Sequence, residues 1–190
     1  MTAIAANLRS SRPFLGWRIG LFYAAVLVAS LPFWPFSWHL ALHVAGAAML
    51  IGNAVVMAVW LSVAGFAGSD DAKRRAARAV NRADLWFTVP GAVLILANGL
   101  AMVGERYGGP ASIPSIPWIA GGLVLLILTG LVWALRLVPT QLAMRRLATA
   151  SGALDAAGFR RLLVRWSVWG TIATVLPLLA VFLMTTKPTG

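Results

Sequence analysis

Residues 40–66 read LALHVAGAAMLIGNAVVMAVWLSVAGF, and residues 67–84 directly after them read AGSDDAKRRAARAVNRAD. The first stretch contains no Asp, Glu, Lys or Arg. It exceeds the ~20 helical residues that cross a ~30 Å hydrocarbon core. The second carries Lys73, Arg74, Arg75, Arg78 and Arg82 and belongs in water. Similar apolar runs occupy residues 19–36, 85–103, 118–135 and 166–186. The pattern predicts an all-α, polytopic membrane helix bundle with five transmembrane helices.

The basic residues fix the expected topology. Arg9, Arg12 and Arg18 precede the first run, and five Lys and Arg residues separate the second from the third. Arg136, Arg145, Arg146, Arg160, Arg161 and Arg165 separate the fourth from the fifth. Only Arg106 and Lys187 fall in the other gaps. Short loops rich in Lys and Arg remain in the cytoplasm, so the N-terminus is expected inside and the C-terminus outside. The first run ends in the bulky segment PFWPFSW (residues 32–38) with no small-x-small cleavage site, and reads as a retained helix.

Hydrophobic residues make up 60% of the 190, and charged residues 11%, a composition suited to lipid. The net charge of +11 follows from the one-sided loops and faces anionic lipid, so no nucleic-acid partner is expected. Absence of cysteine excludes disulfides, thiolate metal ligands and a Cys nucleophile.

Span two is rich in Gly and Ala, which let helix backbones approach closely in lipid. At helical spacing His39, His43, Gly46, Leu50, Asn53, Met57 and Trp60 share one stripe of it. Ser69 is placed to cap a charged inner helix opened by Asp70 and Asp71. Pro90-Gly91 predicts a kink in span three, and the loop through Gly108, Gly109, Pro110 and Pro114 is expected to be irregular. Span four is expected to continue past the membrane to Arg145 and Arg146, with a turn at Ser151-Gly152.

Polar groups within apolar spans are costly, and each is therefore a candidate site. His43, Asn98 and Lys187, with Glu105 and Tyr107 of the outer loop, are expected to converge in the outer half of the bundle. His43 reads equally as a cofactor ligand or as a hydrogen bonder to a neighbouring helix. His39 is expected at the interface. The His39–His43 spacing suits two zinc ligands, with Glu105 alone available to complete a site. Asn53 and Asn98 read as helix–helix hydrogen bonders, and Lys187 as a snorkelling anchor. Asp84 is expected in an inner-surface charge network with Arg82, Arg136 or Arg165. Trp166 and Trp169 are expected in an interfacial belt.

From Trp38 onward the chain resembles a superfamily of bacterial four-helix membrane proteins. The resemblance lies in WHLALHVAGA (residues 38–47), VNRADLWFTVPG (80–91), NGL (98–100), Pro117-Trp118 and MTTKP (184–188). It includes HemJ-type protoporphyrinogen oxidases, CopD-like copper-resistance membrane domains and a group of predicted integral membrane proteins without assigned function, to which the likeness is closest. The resemblance implies a four-helix core over residues 38–190, to which the N-terminal transmembrane helix expected over residues 1–37 is an addition. It also implies a bacterial inner-membrane location.

In HemJ-type enzymes the His of the first core helix is implicated in haem b binding, and His43 matches it. A tetrapyrrole pocket with His43 as the metal ligand, flanked by Asn98 and Lys187, is the implied site. Those enzymes also carry a Lys shortly after the Trp that opens the third core helix, where this chain has Ala120-Gly121-Gly122. Haem binding is therefore the stronger implication, and oxidase activity the weaker. The alternative is a non-catalytic accessory subunit packing in a larger membrane complex or forming a homo-oligomer. A secondary transporter is disfavoured, because no Asp or Glu lies in the middle of any span.

Overall fold

A computed structural model describes residues 17–188. Helix α1 (Trp17–Ala29) leads through a turn at Pro32 and Pro35 into α2 (Phe36–Ala67). Next come α3 (Asp70–Ala83), a π-helical turn (Asp84–Thr88) and α4 (Val89–Tyr107), which together form one rod. A 3₁₀ segment (Pro110–Ser115) connects to α5 (Pro117–Val132). A second π turn (Trp133–Leu137) joins α5 to α6 (Val138–Thr149) without a break. Helix α7 (Ala156–Thr186) closes the bundle.

Four of the described helical rods are long and apolar enough to cross a membrane, namely Phe36–Ala67, Asp70–Tyr107, Pro117–Thr149 and Ala156–Thr186. The expected count was five. The described α1 rises only about 20 Å at 1.5 Å per residue, short of the ~30 Å core. The expectations for Arg9 and Arg12 fall outside the described residues.

Each rod is longer than the ~30 Å hydrocarbon core is thick. At the end that carries the basic residues, α3, α6 and the start of α7 pack by burying apolar faces. Met57, Leu61, Val80, Leu137, Met144, Phe159 and Leu163 form the main hydrophobic core at this end. Ser69 accepts a hydrogen bond from the Ala72 N–H, and Asp155 accepts one from Gly158, capping α3 and α7. Gly152, at φ +85°, makes the turn between α6 and α7. Arg74 fastens that turn by donating to the carbonyls of Ala148, Ala150 and Gly152.

Within lipid, burial of apolar surface no longer drives association, and small residues and polar bonds take over. Helices α2 and α4 pack closely, as do α5 and α7, while α2 also meets α7. The α2–α4 contact is backbone against backbone. A Cβ on Gly46 would lie 2.7 Å from the Gly91 carbonyl oxygen, and one on Gly91 would lie 2.9 Å from that of Gly46. The stripe read on α2 is buried at His39, Gly46, Leu50, Asn53 and Met57, then continues through Leu61 while Trp60 is exposed.

The π turns have a shared local cause. Each is followed by Val-Pro, at Val89-Pro90 and Val138-Pro139. A proline has no N–H and crowds the carbonyl four residues back, so the turn before it widens. The Val89 N–H bonds the Asp84 carbonyl, five residues earlier. In that register the Leu85 carbonyl would face Pro90, which has nothing to donate. The Tyr23 hydroxyl of α1 donates to it instead, at 2.6 Å. Helix α1 thus runs alongside α4, with Phe22 against Trp86 at one end and Ser30 bonded to Asn98 at the other. The loop after α4 is more regular than expected, since Pro110–Ser115 forms a 3₁₀ helix.

Candidate functional site

At the end of the membrane region away from the basic residues, both histidines of α2 turn to α4. His43 Nδ1 is 2.8 Å from the Ile95 carbonyl oxygen. A carbonyl only accepts, so Nδ1 carries the proton and Nε2 holds the lone pair. Nε2 has no partner among the described residues. The ring lies close to Gly99, where a Cβ would come within 3.2 Å of it.

His39 is fully buried, at 1% exposure, rather than interfacial as expected. Its Nδ1 is 2.7 Å from Asn98 Oδ1. Asn98 Nδ2 donates to the Leu94 carbonyl and to Ser30 Oγ, both at 3.0 Å. Ser30 in turn donates to the Val26 carbonyl. The two carbonyls orient the whole chain of bonds, so His39 Nδ1 is the donor and Nε2 the lone pair. That Nε2 is buried without a partner. His39 is bonded to Asn98 of α4, which Ser30 of α1 backs from the far side, contacts invisible in the α2 sequence.

The structure brings His39, His43 and Asn98 to one α2–α4 seam. Asn98 spends its amide on His39, Ser30 and Leu94, not on His43. Lys187 lies elsewhere. It ends α7 in the left-handed conformation at φ 44°, and its ammonium sits 5.3 Å from the ring centre of Trp118. Tyr107 packs on the same Trp118, with ring centres 6.4 Å apart. Glu105 lines a groove with Ser30, Pro32, Trp34 and Ala101. The expected group therefore divides between the α1–α2–α4 seam and a corner between α4, α5 and α7. Among the described residues, no three His, Cys, Asp or Glu side chains come together to hold a metal, so Glu105 does not complete a zinc site with the histidine pair.

A second polar cluster lies nearer the basic end. Asp84, only 9% exposed, was expected among arginines. Its carboxylate instead receives four neutral donors. Asn53 Nδ2 at 3.1 Å and Thr88 Oγ1 at 2.8 Å bond Oδ1. Trp133 Nε1 at 3.0 Å and Gln141 Nε2 at 2.9 Å bond Oδ2. Four donors fill the lone-pair positions of an ionised carboxylate. No cation lies within ion-pair distance among the described residues. Arg136 instead packs over the Trp169 ring, at 5.0 Å from its centre, and Trp166 is buried in the core, not set in an interfacial belt.

The two π turns meet here, because Asp84 opens one and Trp133 opens the other. Such turns make up well under 1% of residues and often mark functional sites. The sequence held one clue to this cluster. Asp84 and Trp133 each stand six residues before a proline that interrupts an apolar run.

Four long apolar rods held by interhelical polar bonds define a multi-pass, α-helical integral membrane protein. Residues 39–188 match the family model described as "Predicted integral membrane protein (DUF2269)", and the chain belongs to that family. No match was found among curated proteins or among solved structures.

Proposed function

We propose that this protein binds a tetrapyrrole, haem b foremost, through His43 Nε2. One observation carries the reading. The Ile95 carbonyl accepts a hydrogen bond from Nδ1–H, which leaves a fixed, unprotonated Nε2 on a half-buried ring. A ligating histidine commonly has its other nitrogen held by such an acceptor, which sets ring orientation and raises basicity. Gly99 lets the ring lie close to α4. The likeness to HemJ-type proteins at His43 points the same way.

When bound, haem would supply one-electron chemistry or a position for a small ligand. His43 would hold the group, and the Ile95 carbonyl would fix the orientation of its ring. Asn98 acts on His39 and α1, and is a positioning residue rather than a direct ligand in this reading. His39 is held by Asn98 within the seam and is not a ligand in this reading.

The one-sided basic loops support an N-inside, C-outside orientation in a bacterial inner membrane, with His43 in the outer half. Reporter fusions after Gly68 and Gly109 test this, the first expected inside and the second outside.

For the cofactor itself, the test is an absorption spectrum of protein purified in mild detergent from haem-replete cells. A Soret band that is lost in His43→Ala and kept in His39→Ala is the expected result. A colourless protein that takes up no added haem, or a band unchanged in His43→Ala, overturns the reading. Co-purification of a colourless protein within a larger complex is what the accessory-subunit alternative predicts.

A further inference from the structure

A cavity of about 320 Å³ lies beside Asp84, between α2, the two π turns and α7. It is lined by Asn53, Trp133, Gln141, Trp166 and Ser167 among mostly apolar side chains. Its position along α2 is ten residues from His43, or roughly 15 Å at the helical rise.

We propose that this cavity binds the headgroup of a neutral, membrane-soluble ring compound bearing carbonyl or hydroxyl oxygens, of the quinone–quinol class. Several observations converge on that chemistry, beginning with the route of entry. Val55 and Val59 of α2 and Val175 of α7 line the cavity and are exposed on the bundle surface. In the bilayer those faces meet acyl chains, so the mouth opens sideways into lipid rather than into water. A ligand dissolved in the membrane enters there and leaves its tail outside.

The hydrogen-bonding groups left over in the wall select an oxygen-bearing ring. Trp166 Nε1 and Ser167 Oγ are buried and have no partner. Asn53 donates both its amide bonds to Asp84 and Thr88, and its Oδ1 has no partner. Buried polar groups are nearly always satisfied, and each exception calls for an occupant. A donor from Trp166 or Ser167 of α7 fits a carbonyl oxygen, and the acceptor on α2 fits a hydroxyl. Trp133 adds an aromatic wall.

The charge of the site excludes other headgroups. Asp84 places an unpaired negative charge in a low-dielectric wall, which repels a phosphate or carboxylate. Its lone-pair positions are filled by four donors, so it has none to offer a cation. A neutral ring remains. A plain acyl chain would fill the volume and leave the donors orphaned, and water would leave the apolar walls poorly covered.

The test uses the full-length protein in phosphatidylcholine vesicles, titrated with decylubiquinone and followed by tryptophan fluorescence. Saturable quenching with an end point of one quinone per chain is expected. Ser167→Ala and Trp166→Phe should each weaken the affinity at least fivefold, and Val175→Trp, at the mouth, should abolish saturation. Thermal melting of each variant checks that it folds. The Ser167→Ala variant removes a single oxygen and keeps the test decisive if Trp166→Phe does not fold. Quenching that rises linearly with quinone, as simple partitioning does, overturns the proposal. So does saturable binding that Ser167→Ala and Val175→Trp leave unchanged, or that dodecane displaces as well as a quinol does.

Discussion

Gly46→Ala should loosen the seam that positions the histidine pair. A methyl at Gly46 would lie 2.7 Å from the Gly91 carbonyl oxygen, 2.8 Å from Leu94 Cβ and 3.0 Å from the Ile95 nitrogen. Two of these are backbone atoms of α4 and cannot rotate away. Restoring separations of ~3.5 Å requires the helices to part by roughly 0.7 Å, which forfeits a quarter or more of each contact along the seam. Overpacking of this kind costs about 1–3 kcal/mol. Three contacts at 3.0 Å or less put the cost at the upper end, about 2–3 kcal/mol, and alanine returns ~1 kcal/mol in helix propensity, so the net loss should be about 1–2 kcal/mol. For a chain of this length that corresponds to a fall of roughly 2–8 °C in melting temperature. The same separation stretches the 2.8 Å bond from His43 to Ile95 and frees the imidazole to rotate. Circular-dichroism melts in detergent provide the assay. Gly52→Ala is the control, because nothing lies within 4 Å of a Cβ there. A Gly46→Ala protein that melts with or above both wild type and Gly52→Ala would refute the close-contact reasoning.

Other changes test the polar clamps. Asp84→Asn replaces one carboxylate oxygen with an amide N–H that opposes donors from Trp133 and Gln141 or from Asn53 and Thr88. A loss of about 1–3 kcal/mol is expected, read as a lower melting temperature. Tyr23→Phe strands the Leu85 carbonyl beside Pro90, and should cost about 1 kcal/mol while increasing proteolysis between α1 and α2. Asn98→Leu should free His39 and detach Ser30. A loss of about 1–2 kcal/mol is expected, along with faster hydrogen exchange in α1. Arg74→Ala removes the donor that holds three carbonyls of the α6–α7 turn. Limited proteolysis should then cut near Gly152 several times faster, with the membrane portion intact.

The functional residues differ in how openly they declare themselves. His43 and Asn53 could be placed on a common stripe because a helix repeats every 3.6 residues, and the structure buries that stripe nearly as read. Asn53 also proved to bond across helices, as a lone amide in an apolar run should. His39 was misplaced because its neighbours set its burial. Its partner is 59 residues away on α4, and α1 backs that partner. Asp84 was misread for a similar reason. Nearby arginines dominate the local sequence, whereas Trp133 and Gln141 lie 49 and 57 residues off.

Sequence alone determined that the chain is a multi-pass helical membrane protein. Hydrophobic length and charge act locally, and each segment must satisfy its own backbone bonds in lipid. It also determined the caps at Ser69 and the extension of helices beyond the membrane, which depend on neighbours within a turn or two. Tertiary structure alone decided which polar groups meet. A proton on His43 Nδ1, the empty Nε2 of His39 and the four donors around Asp84 follow from how separate helices come together. Periodicity fixes which face a side chain occupies, but only packing decides what stands opposite it.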